Sequence, residues 1–367
     1  MQRLVFHFWQ YAHRENPADL VVCPANASPA FRATFMSQTL ADGLRAGHYK
    51  AIPKARHGPH ATMTVRTRMD ELQETIAELG LRPYVEQIDE RGYAVVPPEV
   101  TGVTTAHVDE LVRLLLDKSE EYIGCGFTVE GGPECELDYG DFRGVLELRS
   151  GATPSQFQLM QLCTYHRAFR DLAVNPVGTA LIRYMIGSFG HPLVGAEAWA
   201  ARFSSHNSFI KWAGDGYGDS LGLHVDQGGI PLPWGEKALN ANCNWCLTDY
   251  TREDGAFACV PGSHLRKGHP DENAADEAVP VECPRGSLIA FHGALWHGAY
   301  PKKTPGLRVT IANYYRHMSI LPQDDIPNHF PQELADDCAD PATFRELAGF
   351  GSPYQSQVYP LPKAVHA

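Results

Sequence analysis

Leu221-Gly-Leu-His-Val-Asp-Gln227 is the stretch on which the reading of this chain turns. In an extended strand His224 and Asp226, two residues apart, point to the same face. His297 follows far downstream, and Arg308 stands eleven positions after it. A second histidine arriving from another strand completes a two-histidine, one-carboxylate set. That set suits non-haem Fe(II) and leaves coordination positions open. Arg308 adds a permanent planar cation that matches a carboxylate two hydrogen bonds at a time.

An H-x-D pair alone is weak evidence in a chain with seventeen histidines. His13, His57, His60, His107, His166 and His191 have no acidic or histidine partner at strand spacing and read as surface or satisfied core residues. The surroundings of His224 and Asp226 lift them above this background. Phe209-Ile-Lys-Trp-Ala-Gly and a glycine-rich turn, Gly214 to Gly218, precede them. Asn244-Trp-Cys-Leu-Thr-Asp-Tyr-Thr-Arg-Glu-Asp-Gly255 and Ala258-Cys-Val-Pro-Gly-Ser-His264 follow. Then come Pro284-Arg-Gly-Ser-Leu-Ile-Ala-Phe-His292, Leu295-Trp-His-Gly298 and Leu307-Arg-Val-Thr-Ile-Ala-Asn-Tyr-Tyr-Arg316.

This ordered series resembles the phytanoyl-CoA dioxygenase family of Fe(II)/2-oxoglutarate-dependent oxygenases. Its H-x-D, P-G-S-H, G-x-L-x-x-F, W-H-G and distal arginine motifs run in the same order. The resemblance extends from about Met69 to about His317, some two thirds of the chain. It implies a double-stranded β-helix, a jelly-roll or cupin-like barrel, buttressed by N-terminal helices. It implies His224, Asp226 and His297 as Fe(II) ligands, and Arg308 as the partner of the far carboxylate of 2-oxoglutarate. Trp245 aligns with a tryptophan that lines the co-substrate pocket in family members; simple core packing is its other reading. A strand from Leu307 puts Thr310 and Ala312 on the face of Arg308, making Thr310 a co-substrate neighbour. Relatives can carry a serine two residues after the distal histidine; here that position is Ala299, so the second anchor must come from elsewhere.

The implied reaction consumes O2 and 2-oxoglutarate, releases succinate and carbon dioxide, and hydroxylates an unactivated C–H bond of a small molecule. Ascorbate is the expected reductant in vitro. Desaturation, epoxidation or ring rearrangement with the same cofactors is the nearest alternative, and a silent ligand-binding barrel the alternative of another class. Asp226 occupies the place that a halide takes in related halogenases, which disfavours halogenation. A cupin isomerase would use more histidines and lack the distal arginine.

Composition agrees with a soluble cytoplasmic enzyme. The hydrophobic fraction is 44% and the net charge −12, which argues against nucleic acid or an anionic membrane as partner. No stretch approaches the length of a membrane-spanning helix. Nine cysteines in a long chain do not look like a secreted disulfide framework. Cys243 and Cys246 form a C-x-x-C, but positions three apart on a strand face opposite sides, so both read as packed apolar residues. Ser263 has no nucleophile elbow around it, and His264 reads as a residue that hydrogen-bonds its own turn. The loop Gly214-Asp-Gly-Tyr-Gly218 lacks the strand-turn-helix context of a dinucleotide fingerprint.

Residues 1–65 read as an N-terminal extension with no assigned role, with Met63 and Met69 as alternative initiators. Residues 66–330 read as the dioxygenase domain: helices over 66–197, then a barrel over 198–318. The remainder, 331–367, is a tail with a short acidic helical stretch, Gln332 to Cys338. Within the helical region the spacing predicts helices at Asp70–Gly80, Val85–Gly92, Thr105–Tyr122, Thr153–Asn175 and Thr179–Gly187, and a short strand from Tyr93. The substrate itself is not legible: selectivity lies in loops such as Pro231 to Asn240 and Leu265 to Ala278. Lys54, Lys211, Lys302 and Lys303 read as solvated surface lysines.

Overall fold

The computed structural model describes residues 67–137, 155–190, 197–214 and 216–350. The expectations for residues 1–65 and for the last residues of the tail lie outside them. Thr67 caps α1 (Arg68–Glu78): its hydroxyl accepts from the Asp70 amide while the Asp70 carboxylate accepts from the Thr67 amide, a reciprocal pairing of otherwise orphaned donors. α2 (Arg82–Arg91) stops at Gly92, whose left-handed conformation turns the chain directly into β1 (Tyr93–Val96). A single turn, α3 (Pro98–Thr101), leads to α4 (Thr105–Ile123), which buries Val108, Leu111, Val112 and Leu115 on one stripe.

A small hairpin, β2 (Phe127–Thr128) and β3 (Gly132–Pro133), is flanked by a disulfide between Cys125 and Cys135. The other described cysteines are buried thiols. The segment expected to be helical from Thr153 is different. Gln156–Phe157 forms β4, Leu162–Thr164 a 3-10 turn, and only Arg167–Ala173 is helical (α5). The reason is pairing: Gln156 and Phe157 join the edge of a sheet opposite Lys211 and Ile210. Phe157 and Leu159 alternate inward there, a strand period. Asn175 then caps α6 (Pro176–Ile186) through the Val177 and Gly178 amides, and β5 (Ser188–Gly190) pairs with β6 (Glu197–Trp199).

The remaining strands are β7 (Ala201–Lys211), β8 (Asn240–Cys246), β9 (Phe257–Cys259), β10 (Val279–Val281), β11 (Leu288–His292), β12 (His297–Ala299) and β13 (Arg308–His317). They form a six-stranded antiparallel sheet, β1-β11-β8-β13-β7-β4, and a three-stranded one, β10-β9-β12. The fold is mostly β with helical decoration, two facing sheets of the double-stranded β-helix kind. The sheets enclose a cavity without a continuous hydrogen-bonded closure among the described residues.

One face of the large sheet is apolar and helix-covered. Gly178 of α6 sits so close to it that a methyl group would meet Cys243 Sγ at 3.3 Å and Trp245 at 3.5 Å. Phe203, Val309, Ile311 and Tyr315 belong to the same core. The opposite face carries Asn242, Asn244, Thr310, Ala312, Tyr314, Ser205 and Asn207 toward the cavity. Cys243 and Cys246 do face opposite sides: Cys246 lies in the inter-sheet core, 3.6 Å from Cys283. In the tail the acidic stretch is a 3-10 turn, Gln332–Asp336. A short turn α7 (Ile326–His329) precedes it, and a helix the spacing did not predict, α8 (Pro341–Ala348), packs Phe344 against Phe203. No described helix is long and apolar enough to cross a membrane.

Candidate active site

Among the described residues one cluster of histidine, cysteine and acidic side chains has ligand atoms all within 4.8 Å of one another: His224, Asp226 and His297. His224 and Asp226 are not on a strand, as the spacing suggested. Leu221 and Gly222 are left-handed, which ends any extended run, and Gly228 N–H returns to the Val225 carbonyl in a turn. The side chains converge for another reason. His224 exchanges both backbone hydrogen bonds with His297, at 2.9 and 3.0 Å, a lone bridge that ties the segment to β12. The Asp226 carbonyl accepts from the Asn240 amide at 3.1 Å and from the Tyr314 hydroxyl at 3.2 Å.

His224 Nε2 and His297 Nε2 stand 3.5 and 3.6 Å from Asp226 Oδ1. Adjacent donors ~2.1 Å from a first-row cation would be about 3 Å apart, so the two imidazole–carboxylate separations need only a small contraction around an ion. Each imidazole directs Nδ1 at a backbone carbonyl, His224 at Gly222 and His297 at Leu295, both at 2.9 Å. With Nδ1–H donating there, the lone pair is left on Nε2, facing the carboxylate. Burial pushes the His297 pKa down to about 4, with Asp226 opposing it, so the ring is neutral near pH 7. Burial works against ionisation of Asp226, but the His297 and His224 rings and the Asn242 amide hold its carboxyl below the ordinary range. Asn242 donates to the outer oxygen, Oδ2.

Arg308 opens β13 in the same cavity and is buried. Its Nη1 donates to Tyr250 Oη at 2.6 Å and to Thr310 Oγ1 at 3.0 Å. Its Nε is enclosed without a partner, and no acidic side chain among the described residues pairs with it. A buried cation without a counter-ion is costly, and the arrangement calls for an anion from outside the chain. Phe257 and Phe291 supply apolar wall beside His297.

Trp245 is a correction. It lies on the helix-covered face of β8 with Cys243, packed near Gly178, and does not line the cavity. Strand alternation requires this, since Asn244 and Cys246 on either side face inward. Thr310 does stand beside Arg308, and Tyr250, which motif reasoning passed over, completes that group. The asparagine row was also missed, although Asn240, Asn242 and Asn244 at spacing two are a visible signal: asparagine is poor in strands and a row of it on one face marks a polar interior. His264 hydrogen-bonds the Asp89 carbonyl through Nε2 at 3.3 Å rather than its own turn.

Two histidines and a carboxylate with inward lone pairs, beside a buried arginine, define a 2-oxoglutarate-dependent non-haem iron dioxygenase. The model of the phytanoyl-CoA dioxygenase family matches residues 146–310, the stretch that holds His224, Asp226, His297 and Arg308. Dioxygenase af480 of Aspergillus fumigatus is 28% identical over 288 residues, covering 77% of this chain and 82% of the relative. Among solved structures, HygX of Streptomyces hygroscopicus with nickel and 2-oxoglutarate bound superposes with a TM-score of 0.46 at 16% identity, covering 66% of this chain and 88% of the other. The 2-oxoglutarate-dependent carbocyclase SnoK from nogalamycin biosynthesis superposes with a TM-score of 0.44 at 19% identity, covering 64% and 83%.

Proposed function

We propose that the chain hydroxylates an unactivated C–H bond of a small molecule, with His224, Asp226 and His297 holding Fe(II) and Arg308 holding 2-oxoglutarate. The observation that carries this is the buried, anion-seeking guanidinium in the same cavity as two histidines whose Nε2 atoms converge on Asp226 Oδ1. Bound there, Fe(II) and 2-oxoglutarate supply the oxidising chemistry, with O2 and 2-oxoglutarate consumed as succinate and carbon dioxide form. The residues bind and orient. Tyr250 and Thr310 fix one nitrogen of Arg308 and so aim the fork of the guanidinium. Ala299 has no hydroxyl, and Thr310, which lines the cavity beside Arg308, would offer the second anchor. Asn242 holds one oxygen of Asp226 and leaves the other toward the histidines. Phe257 and Phe291 keep water from that side of the site.

The test is succinate formation by anaerobically purified protein given Fe(II), ascorbate, O2 and 2-oxoglutarate. Uncoupled turnover needs no substrate, and His224→Ala and Arg308→Ala should each abolish it. Succinate that persists in both variants, or a protein that binds neither Fe(II) nor 2-oxoglutarate, would sink the proposal.

A further inference from the structure

The cavity of about 540 Å³ has further polar lining besides Arg308 and the histidines. This polar wall is built from Gln156 and Gln158 at β4, Ser205 and Asn207 on β7, and Gln323 and Asp324 after β13. The sheet register explains its floor. Asn207, Ala312 and Asn244 form one row across β7, β13 and β8; Ser205, Tyr314 and Asn242 form the next. The methyl of Ala312 leaves a hollow between two amides.

The hydrogen bonds in this wall run in one direction. Asn207 Nδ2 donates to Ser205 Oγ at 3.2 Å, and Ser205 Oγ donates to Gln323 Oε1 at 2.7 Å. Asn207 Oδ1, Asn244 Oδ1 and Asp324 Oδ2 are enclosed acceptors without a partner. An asparagine can exchange oxygen for nitrogen by flipping; an ionised carboxylate only accepts. Asp324 therefore sets the sign of the wall. Burial pushes the pKa of its carboxyl up against a hydrogen bond from the His206 backbone, and no cation among the described residues pairs with it, so a bound cation would hold it ionised. In one cavity Arg308 lacks an anion and Asp324 lacks a cation.

We propose that Asp324 and the amides around it bind a protonated amine of the substrate, which is an amine- and hydroxyl-bearing small molecule and not an acyl chain. This rests on the oxygenase reading of the same cavity. An acyl chain would meet Met160 and Phe209 but would bury the amides and carboxylate unpaired, at a cost of kilocalories per group. An ammonium with flanking hydroxyls gives each acceptor a donor.

The experiment uses the full chain with Fe(II) and 2-oxoglutarate under nitrogen, titrated calorimetrically with glucosamine, N-acetylglucosamine, gluconate and decanoate. Glucosamine should bind about tenfold more tightly than its N-acetyl form or the two acids. Asp324→Asn should level the amine and its acetylated form to within about twofold, and Asp324→Glu should restore part of the preference. Equal binding, a preference for either acid, no binding of the amine, or a preference that survives in Asp324→Asn would each overturn the proposal. Titrating 2-oxoglutarate alone into the Fe(II) protein reads the co-substrate assignment separately, so the two failures are distinguishable.

Discussion

Arg308 makes its hydrogen bonds inside the protein through Nη1, and Tyr250 is one of the two groups that receive them. Tyr250→Phe keeps the ring that lies 5.0 Å from the guanidinium and removes the hydroxyl. One bond to a charged group is worth about 1.5–3 kcal/mol, so the variant should bind 2-oxoglutarate at least about tenfold more weakly. Equilibrium titration of the Fe(II) protein under nitrogen measures this. An unchanged dissociation constant would remove Tyr250 from the co-substrate site. His206 is a residue of the opposite kind. It is buried against Phe203, with ring centroids 4.3 Å apart, its Nε2 has no partner, and burial alone lowers its pKa to about 3. It packs as an uncharged ring.

At the level of elements, the site depends on how closely β12 approaches the His224 segment. A methyl group at Gly298 would collide with the Leu221 carbonyl, a backbone atom that cannot rotate away. Gly298→Ala should break the His224–His297 bridge and lower Fe(II) affinity at least about tenfold, as read by metal content after dialysis. Full iron occupancy in that variant would show that the bridge does not assemble the ligands. Trp245 tests the other face of the sheet. Trp245→Ala opens a cavity between β8 and α6 and should cost about 3–5 kcal/mol in denaturant unfolding, while 2-oxoglutarate affinity of the folded protein stays within about twofold. A large loss of that affinity would restore the tryptophan to the co-substrate pocket.

Over the whole molecule, buried neutral histidines set the acid limit of stability. His206 and His292 both have pKa values lowered to about 3, first by burial and for His292 also by the neighbouring His264. The unfolded chain protonates these rings near pH 6.5. Between there and pH 3 the unfolded state therefore binds more protons than the folded one, and stability falls as pH falls through that window. Each ring contributes a slope of about 1.4 kcal/mol per pH unit. Urea unfolding at pH 7.5 and 5 should show the loss, and His206→Phe should reduce the slope by one ring's share. A variant with an unaltered slope would mean that His206 does not stay neutral.

The ordered motifs were enough to read a two-sheet oxygenase, and the residues they single out, His224, Asp226, His297 and Arg308, line one cavity of the fold. They are legible because a ligand set needs particular atoms, and those residue types carry them wherever the backbone leads. Period-2 alternation also told Cys243 from Cys246, and would have told Trp245 from Asn244 had it been applied there. What strands pair with is not local. That Gln156–Phe157 is an edge strand, that His224 and Asp226 meet through a turn and a lone bridge, and that Tyr250 reaches Arg308 follow from contacts between distant segments. The polar wall around Asp324 is of this kind too: β4, β7 and the segment after β13 become neighbours only in the folded sheet. The chemistry of the centre is written in residue types, whereas the pocket that selects a substrate exists only as a surface made by register and packing.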